Sequence, residues 1–208
     1  MRWPATLCCM SDIKRITVFS GSSTRADQVH LDAATHLGTL LGERELTLVF
    51  GGGGVGLMGA MFQSAKASGA GTIGVTTRQF VKLEQAVPDC DEMIVVETMA
   101  ERKRELIERG DAILVLPGGL GTYEEFFDAV VGRTLGHHSK AIALVNIDQA
   151  LDPLHQMIED GIHRRFISHG VRDFLHICQT SEEALDRVLH SKEELIDPSR
   201  MVPSGDWQ

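Results

Sequence analysis

Leu116-Pro117-Gly118-Gly119-Leu120-Gly121-Thr122-Tyr123-Glu124-Glu125 is the stretch that decides the predicted fold. A short apolar run, Ala112 to Leu116, leads into it, and such a bounded run is typical of a buried strand. Three glycines in four residues then let the backbone turn sharply and approach another molecule closely. Apolar residues recur at helical spacing from Phe126 to Leu135. The stretch therefore predicts a strand, a glycine turn and a helix N-terminus, whose free amides attract anions such as phosphate.

Thr122 and Glu125 also have a purely structural interpretation. In a capping box, the Thr122 hydroxyl would cap the helix and Glu125 would bond back to the Thr122 amide. Thr122 is then the predicted start of the helix, and both carboxylates, Glu124 and Glu125, fall in its first turn. This pattern alone leaves the capping role and a functional role open.

Strands and helices alternate along the rest of the chain. The predicted strands are 15–19, 46–50, 72–76, 93–96, 112–116, 141–146 and 174–178, and the predicted helices are 27–42, 57–68, 98–109, 122–135, 151–166 and 180–195. Residues 78–91 show no clear period and predict a loop. The alternation predicts a single α/β domain over 13–196, a Rossmann-like, doubly wound parallel sheet with helices on both faces. Flexible segments are predicted at 1–12 and 197–208.

Composition excludes several classes of function. The chain has 208 residues and a net charge of -9, which disfavours broad nucleic-acid binding. No apolar run approaches the roughly 18 residues that a membrane span needs. The four cysteines, Cys8, Cys9, Cys90 and Cys178, lack metal-site spacing and are interpreted as reduced thiols. We therefore expect a cytoplasmic protein without nucleic-acid or membrane partners.

Three glycine-containing loops directly follow predicted strands: 20–23, 51–56 and 118–122. Because the strands are parallel, all three loops should meet at the carboxyl edge of the sheet, where such folds bind ligands. The second loop fits a dinucleotide-binding pattern but lacks the acidic residue expected about 20 positions later. It also lacks the Gly-Lys-Ser/Thr ending of a P-loop. A phosphate or sugar-phosphate site is therefore favoured over NAD binding or ATP hydrolysis.

Arg102 and Lys103 begin the predicted helix that follows the fourth strand, near the same edge. The capping signal Thr98-x-x-Glu101 precedes them. Surface pairing of Arg102 with a glutamate on its own helix, Glu105 or Glu108, is one interpretation. Two adjacent cations in a first turn oppose the helix dipole, and an anionic ligand would relieve that. His137 and His138 follow a predicted helix end and are interpreted as capping or solvated.

The sequence resembles the LOG family of cytokinin riboside 5′-monophosphate phosphoribohydrolases, whose signatures are PGGxGTxxE and MxxRK. Both signatures are complete, in Pro117 to Glu125 and in Met99 to Lys103, and the resemblance extends from Arg15 to Asn146. It implies a homodimeric Rossmann-like fold and no metal or redox cofactor. It implies hydrolysis of the N-glycosidic bond of an adenosine 5′-monophosphate, usually N6-substituted, to free base and ribose 5-phosphate.

Carried over by position, the resemblance implies that Arg102 and Glu125 are the catalytic pair. A carboxylate suits the reaction, since cleavage of a ribosyl C–N bond builds oxocarbenium character at the sugar. The chain departs from the family at Gln79, where relatives carry the Glu of Met-Pro-x-Glu-Ile, and at Gly132 and Thr134, which replace the Trp and Gln of Thr-Trp-x-Gln-Leu-Gly. The implied substrate-binding residues are Gly21, Ser22, Gly52, Gly53, Gly54, Gln79, Lys103, Gly118, Gly119, Gly121, Thr122 and Glu124.

Two other functions stay open at the level of sequence. One is a non-catalytic carrier of a phosphorylated ligand, similar to molybdenum-cofactor carrier proteins, which the altered base-side positions allow. The other is lysine decarboxylation, an older label of the family, which needs a pyridoxal-binding lysine in a recognisable setting. None of the six lysines has such a setting, and the intact Arg102 and Glu125 favour the hydrolase.

Overall fold

The computed structural model describes residues 13–82, 87 and 89–191 of the chain. Its strands are β1 (Arg15–Phe19), β2 (Thr47–Phe50), β3 (Gly71–Thr77), β4 (Glu92–Val96), β5 (Ala112–Val115), β6 (Ile142–Val145) and β7 (Leu175–Cys178). Its α-helices are α1 (Gln28–Glu43), α2 (Gly56–Ala67), α3 (Arg78–Lys82), α4 (Met99–Arg109), α5 (Leu120–Thr134), α6 (Asp152–His163) and α7 (Ser181–Leu189). Two short 3-10 helices, Ile147–Gln149 and His169–Asp173, flank α6.

The strands form one parallel sheet in the order β4-β3-β2-β1-β5-β6-β7. The chain begins at the centre with β1, builds outward to β4, and then returns to the other side of β1 with β5. Val18 of β1 is in register with Phe50 of β2, and Phe19 is in register with Val115 of β5. The strand order therefore reverses between β1 and β5, and ligands of such sheets bind in the crevice that this reversal leaves at the carboxyl edge.

Helices cover both faces of the sheet and enclose a core on each side. The core of one face includes Leu37 of α1, Met61 of α2 and Leu185 of α7. The core of the other face includes Leu106 of α4 and Phe126 of α5, together with residues of α6. Because both faces are covered, β5 and β6 are apolar and buried along their whole length.

The predicted fold class is confirmed, and every predicted strand agrees with the structure to within one residue at each end. Among the described residues, the predicted loop at 78–91 is wrong at its start, because Arg78–Lys82 form a helix too short to show a 3.6-residue period. The last helix ends at Leu189 rather than near 195. The predicted flexible segments, 1–12 and 197–208, lie outside the described residues. No helix in the described parts of the chain has the length and apolar character that crossing a bilayer requires.

Candidate active site

A cavity of about 320 Å³ opens at the carboxyl edge of the sheet, where the strand order reverses. Its volume is at the lower end of the range of small-molecule sites. The three loops that the sequence predicted to meet there all contribute to its wall. The lining residues are Ser20, Gly21, Ser22, Gly51, Gly53, Val55, Met58, Thr76, Phe80, Met99, Arg102, Gly119, Gly121, Thr122 and Glu125.

The glycines let these loops approach each other very closely. A Cβ atom on Gly118 would lie 2.1 Å from Thr122 Oγ1 and 2.9 Å from the backbone nitrogen of Gly21. The Gly21 amide donates a hydrogen bond to the carbonyl of Pro117 at 3.0 Å, which joins the loop after β1 to the loop after β5. Gly56 has a φ of 63°, a conformation that glycine adopts readily. A larger residue at Gly118 or at Gly56 would push the loops apart.

Arg102 and Glu125 form a buried ion pair in the wall of the cavity. Arg102 Nη1 donates to Glu125 Oε1 at 2.6 Å, and the two side chains are only 7% and 9% exposed. The guanidinium also donates from Nε to the Val75 carbonyl at 3.0 Å and from Nη2 to the Gly51 carbonyl at 3.2 Å. Arg102 therefore links α4, β3 and the loop after β2 to α5, and it does not pair with Glu105 or Glu108 along its own helix.

Burial raises the pKa of the Glu125 carboxyl, because an apolar environment disfavours the charged form. The neighbouring Arg102 guanidinium acts in the opposite direction, through its charge and its hydrogen bond, and burial is the larger effect. A carboxyl in a cleft with a shifted pKa and a defined cationic partner is a common feature of catalytic sites.

The helix that carries Glu125 begins earlier than the sequence suggested. α5 starts at Leu120 with Gly119 at its N-cap, and the Gly119 carbonyl accepts the first helical hydrogen bond, from the Tyr123 amide. The predicted Thr122 cap is therefore wrong, and Glu125 lies in the second turn with its side chain on Arg102 instead of on a backbone amide. The physical reason is that glycine can serve as an N-cap without a side chain to signal it.

The predicted capping box of α4 is confirmed. The Thr98 hydroxyl accepts from the Glu101 amide at 3.2 Å, and Glu101 Oε2 accepts from the Thr98 amide at 3.0 Å. This box fixes the start of α4 one turn before Arg102.

Lys103 and Glu124 are near the cavity but are not among its lining residues. Lys103 Nζ donates to Glu124 Oε1 at 2.9 Å and lies 3.7 Å from Asp128 Oδ2. This ion pair joins α4 to α5 beside the buried one. That both residues contact substrate stays a prediction.

The other predicted substrate-binding residues divide into two groups. Gly21, Ser22, Gly53, Gly119, Gly121 and Thr122 line the cavity, and Gly118 lines an adjoining cavity of about 430 Å³ that also contains His30. Gly52 and Gly54 are outside the lining. The Gly52 carbonyl accepts from the Val87 amide at 2.9 Å, and a Cβ atom on Gly54 would lie 2.8 Å from the Val87 side chain.

Gln79 does not face the central cavity. It is exposed and lines a separate cavity with Arg78, Lys82 and Glu97, and its role in substrate binding stays a prediction. The next residue of α3, Phe80, lines the central cavity in its place, because successive helical residues point in different directions.

Sequence reasoning did not name several lining residues as contacts: Met58, Thr76, Phe80 and Met99 are outside the predicted site loops, and Ser20, Gly51 and Val55 are within them. Ser20 and Gly51 directly follow strands, and Met99 opens the MxxRK signature, so a signal was present for these three. Phe80 had no signal, because it lies in a segment without a period. Ser20 is 4% exposed, and its hydroxyl has no hydrogen-bond partner among the residues that the structure describes.

The C-terminal end of α5, where Gly132 and Thr134 differ from the resembled family, lies outside the cavity lining. His138 packs there, with Nε2 2.9 Å from the Ala129 carbonyl, while His137 is exposed. Burial lowers the pKa of His138 to about 4, so the ring is neutral at pH 7 and donates to this carbonyl. The interpretation of these histidines as capping or solvated agrees with the exposed position of His137. For His138 it is wrong, because the ring is partly buried and bonds a carbonyl inside the helix.

Comparison with known proteins identifies the family. A family model described as "Possible lysine decarboxylase" matches residues 58–188. The probable cytokinin riboside 5′-monophosphate phosphoribohydrolase LOGL1 of Oryza sativa subsp. japonica is 37% identical over 194 residues, which are 93% of this chain and 86% of that protein. The chain belongs to the LOG family. The cytokinin riboside 5′-monophosphate phosphoribohydrolase LOG2 of Arabidopsis thaliana is also 37% identical, over 78% of this chain and 76% of that protein.

Solved structures with a similar fold extend beyond the LOG family. The molybdenum cofactor binding protein of Rippkaea orientalis superimposes with a TM-score of 0.65 at 21% identity, over 85% of this chain and 95% of that one. The molybdenum cofactor carrier protein of Chlamydomonas reinhardtii gives a TM-score of 0.65 at 19% identity, over 85% and 96% of the two chains. At these identities the likeness shows the fold alone.

Proposed function

We propose that this LOG-family protein hydrolyses the N-glycosidic bond of adenosine 5′-monophosphate, or of an N6-modified form such as a cytokinin precursor. The observation that carries the proposal is the buried Arg102–Glu125 pair in the wall of a cavity beside the N-terminus of α5. The names of the rice and Arabidopsis relatives support it, because they describe enzymes of this reaction.

The N-terminus of α5 is the proposed site for the 5′-phosphate. A helix N-terminus offers backbone N–H groups that lack partners within the helix, together with the positive end of its dipole. Gly119, Gly121 and Thr122 bring this end of α5 to the cavity, and Gly21 and Ser22 approach it from the loop after β1. The hydroxyl of Ser20, which is without a partner in the described residues, is a further candidate donor to a substrate oxygen.

Glu125 is the proposed catalytic carboxylate. Its Oε1 is held by Arg102, and Oε2 accepts no hydrogen bond from the described residues. A carboxylate beside C1′ stabilises the oxocarbenium-like transition state and orients the attacking water. The C1′–N bond breaks, hydroxide from the water joins C1′, and the remaining proton ends on the leaving base. The products are then free base and ribose 5-phosphate.

Arg102 is proposed to position Glu125. Its guanidinium donates three hydrogen bonds to other groups of the protein. These bonds fix the plane of the guanidinium and therefore the position of the Glu125 carboxylate that it holds. Lys103 and Glu124 are proposed to support this arrangement because their ion pair connects α4 to α5. The remaining loop glycines are proposed to support it through the shape of the loops: Gly52, Gly53, Gly54 and Gly118.

The carrier hypothesis has weaker support than the hydrolase. The carrier structures share only 19–21% identity with this chain, whereas relatives at 34–37% identity bear the names of hydrolases. A buried, strongly held carboxylate is also more than the binding of a phosphorylated ligand requires.

We further propose a cytoplasmic homodimer without nucleic-acid or membrane partners. The free thiols of Cys90 and Cys178 fit a reducing compartment, and the net charge of -9 disfavours nucleic acid. The dimer is supported by exposed apolar side chains at the far end of α5, Val131 and Leu135, and near α6, Met157 and Phe166.

The proposed reaction is tested by incubating the protein with AMP and with N6-isopentenyl-AMP and detecting free base by chromatography. Adenosine serves as the matched control, because it has the same glycosidic bond and lacks the phosphate. Release of base from the monophosphates, with much slower release from adenosine, is the expected result. The proposed function would be contradicted if neither monophosphate released its base.

A further inference from the structure

The cavity has a polar side and an apolar side that come from different elements. The polar side consists of the loop after β1 and the N-terminus of α5. The apolar side consists of the buried Met58 and three other side chains that we call the apolar rim: Val55 from the loop after β2, Phe80 from α3 and Met99, the first residue of α4. The Arg102–Glu125 pair also lines this cavity.

The side chains of the apolar rim are more exposed than packing in either core would leave them. Val55 and Met99 are 49% and 38% exposed, and α3 has no buried residue. Phe80 is therefore held at the cavity without being part of either core. Exposed apolar side chains that converge on a cavity are a sign of ligand binding.

Phe80 is also close to the proposed catalytic pair. The guanidinium carbon of Arg102 lies 5.8 Å from the centroid of the Phe80 ring, within the range of a cation–π contact. A planar group lying against this ring would thus be adjacent to the carboxylate that Arg102 holds.

We propose that the apolar rim binds the nucleobase of the substrate and that Phe80 stacks on it. This inference rests on the proposed function and extends it to the recognition of the base. With the phosphate at the N-terminus of α5 and C1′ beside Glu125, the base has to leave the ribose on the side away from α5. The rim residues follow β2, β3 and β4, which lie across β1 from β5 and its helix α5, and a purine offers the large flat face that an aromatic ring stacks on.

The proposal predicts a difference between two ligands that share the phosphate and the ribose. Binding of AMP and of ribose 5-phosphate is measured by titration calorimetry in a Glu125→Gln background, so that AMP is not consumed. Adding Phe80→Ala should weaken AMP binding about tenfold or more, the usual effect of removing an aromatic that stacks on a base. Binding of ribose 5-phosphate should stay unchanged, because it has no base to stack.

Two variants control for damage to α3. Val81→Ala alters the neighbouring residue of the same helix, which is 41% exposed and outside the cavity lining, and should leave the binding of both ligands unchanged. Phe80→Trp retains an aromatic face and should retain most of the AMP affinity.

The outcomes separate this inference from the proposed function. AMP affinity that Phe80→Ala leaves unchanged, or an equal loss for AMP and ribose 5-phosphate, would overturn the base-binding role of the rim even if the parent protein hydrolyses AMP. A loss confined to AMP supports the rim, and it does so even if the parent protein proves unable to release base. Failure of the protein to bind AMP and N6-isopentenyl-AMP alike would overturn both.

Discussion

At the scale of single residues, the titration of Glu125 has a direct consequence for activity. Burial raises the pKa of this carboxyl, and the proposed chemistry requires its ionised form. As the pH falls through the raised pKa, the carboxylate gains a proton and the catalytic charge is lost. Activity should therefore decline at a higher pH than an exposed glutamate, with an ordinary pKa of about 4.3, would produce.

The corresponding measurement is kcat at saturating AMP across the acidic range, because kcat reports groups in the substrate complex. We expect a one-proton decline whose midpoint lies above the ordinary range of glutamate. Glu108→Gln is the matched control, since this glutamate of α4 is exposed and outside the cavity lining, and it should leave the midpoint unchanged. A midpoint at or below about 4.3 would show that the pKa of the essential group is not raised.

The residues of the site could be predicted from sequence only in part. Loop glycines directly follow strands, so their convergence follows from the parallel sheet. The Arg102–Glu125 contact joins residues 23 positions apart on different helices, and no local pattern predicts it; it came from the family signatures. Local rules instead favoured a capping box for Glu125 and surface pairing for Arg102, and both are wrong because tertiary contacts outweigh the weaker local ones.

At the scale of elements, α4 and α7 begin with matching caps. Comparing them separates the effect of a cap on stability from its effect on activity. The Thr98 hydroxyl accepts from the Glu101 amide at the start of α4, and the Thr180 hydroxyl accepts from the Glu183 amide at the start of α7. α4 carries Arg102 and Met99 into the cavity, whereas no residue of α7 lines it.

Thr98→Ala and Thr180→Ala should each destabilise the protein by about 1 kcal/mol through the loss of a cap. For a chain of this length, that lowers Tm by about 2–4 °C. Only Thr98→Ala should also lower kcat/KM, by about tenfold, since small displacements of a catalytic group are costly. Thermal melts and AMP kinetics on both variants check this; an equal effect of the two substitutions on kcat/KM would contradict a positioning role for the start of α4.

The elements themselves were largely predictable because buried parallel strands form short apolar runs, of which β5 and β6 are the clearest. The start of α5 was not, because Gly119 caps it without a polar side chain. α3 was missed because five residues are too few to show a helical period. The apolar rim could not be predicted, since it combines single residues from three separate segments.

At the scale of the whole molecule, the proposed homodimer makes a prediction about specific surfaces. Val131 of α5 and Leu135 just beyond it are 50% and 47% exposed, and both would be covered in a helical interface. Sedimentation at micromolar concentration should give a dimer for the parent protein. Val131→Asp and Leu135→Asp should shift it toward monomer, because burying an unpaired carboxylate is unfavourable.

Val29→Asp provides the control for this experiment, since Val29 is 44% exposed on α1, a helix outside the proposed contact. It should leave the dimer intact. A parent protein that sediments as a monomer, or α5 variants that dimerise as well as Val29→Asp, would count against an interface at this end of α5.

Stability also has to be considered for the Glu125→Gln variant, because this substitution changes a buried ion pair. Removing one partner of a buried ion pair typically costs about 3–5 kcal/mol. In Glu125→Gln the amide oxygen can still accept the hydrogen bond from Arg102, so we expect a smaller loss, about 1–3 kcal/mol. A thermal melt of the variant establishes that it is folded at the temperature of the assay.

The most direct test of Glu125 as the catalytic carboxylate is the turnover of AMP by Glu125→Gln, compared with the parent protein and with Glu108→Gln. Gln retains the shape and the hydrogen bond of Glu125 and lacks the charge that an oxocarbenium-like transition state needs. We predict a loss of about 100-fold or more in kcat for Glu125→Gln, the usual scale for one preorganised electrostatic group. We predict near-parental turnover for Glu108→Gln, whose exposed side chain is outside the cavity lining. A folded Glu125→Gln variant that cleaves AMP at the parental rate would contradict the assignment of Glu125 as the catalytic carboxylate.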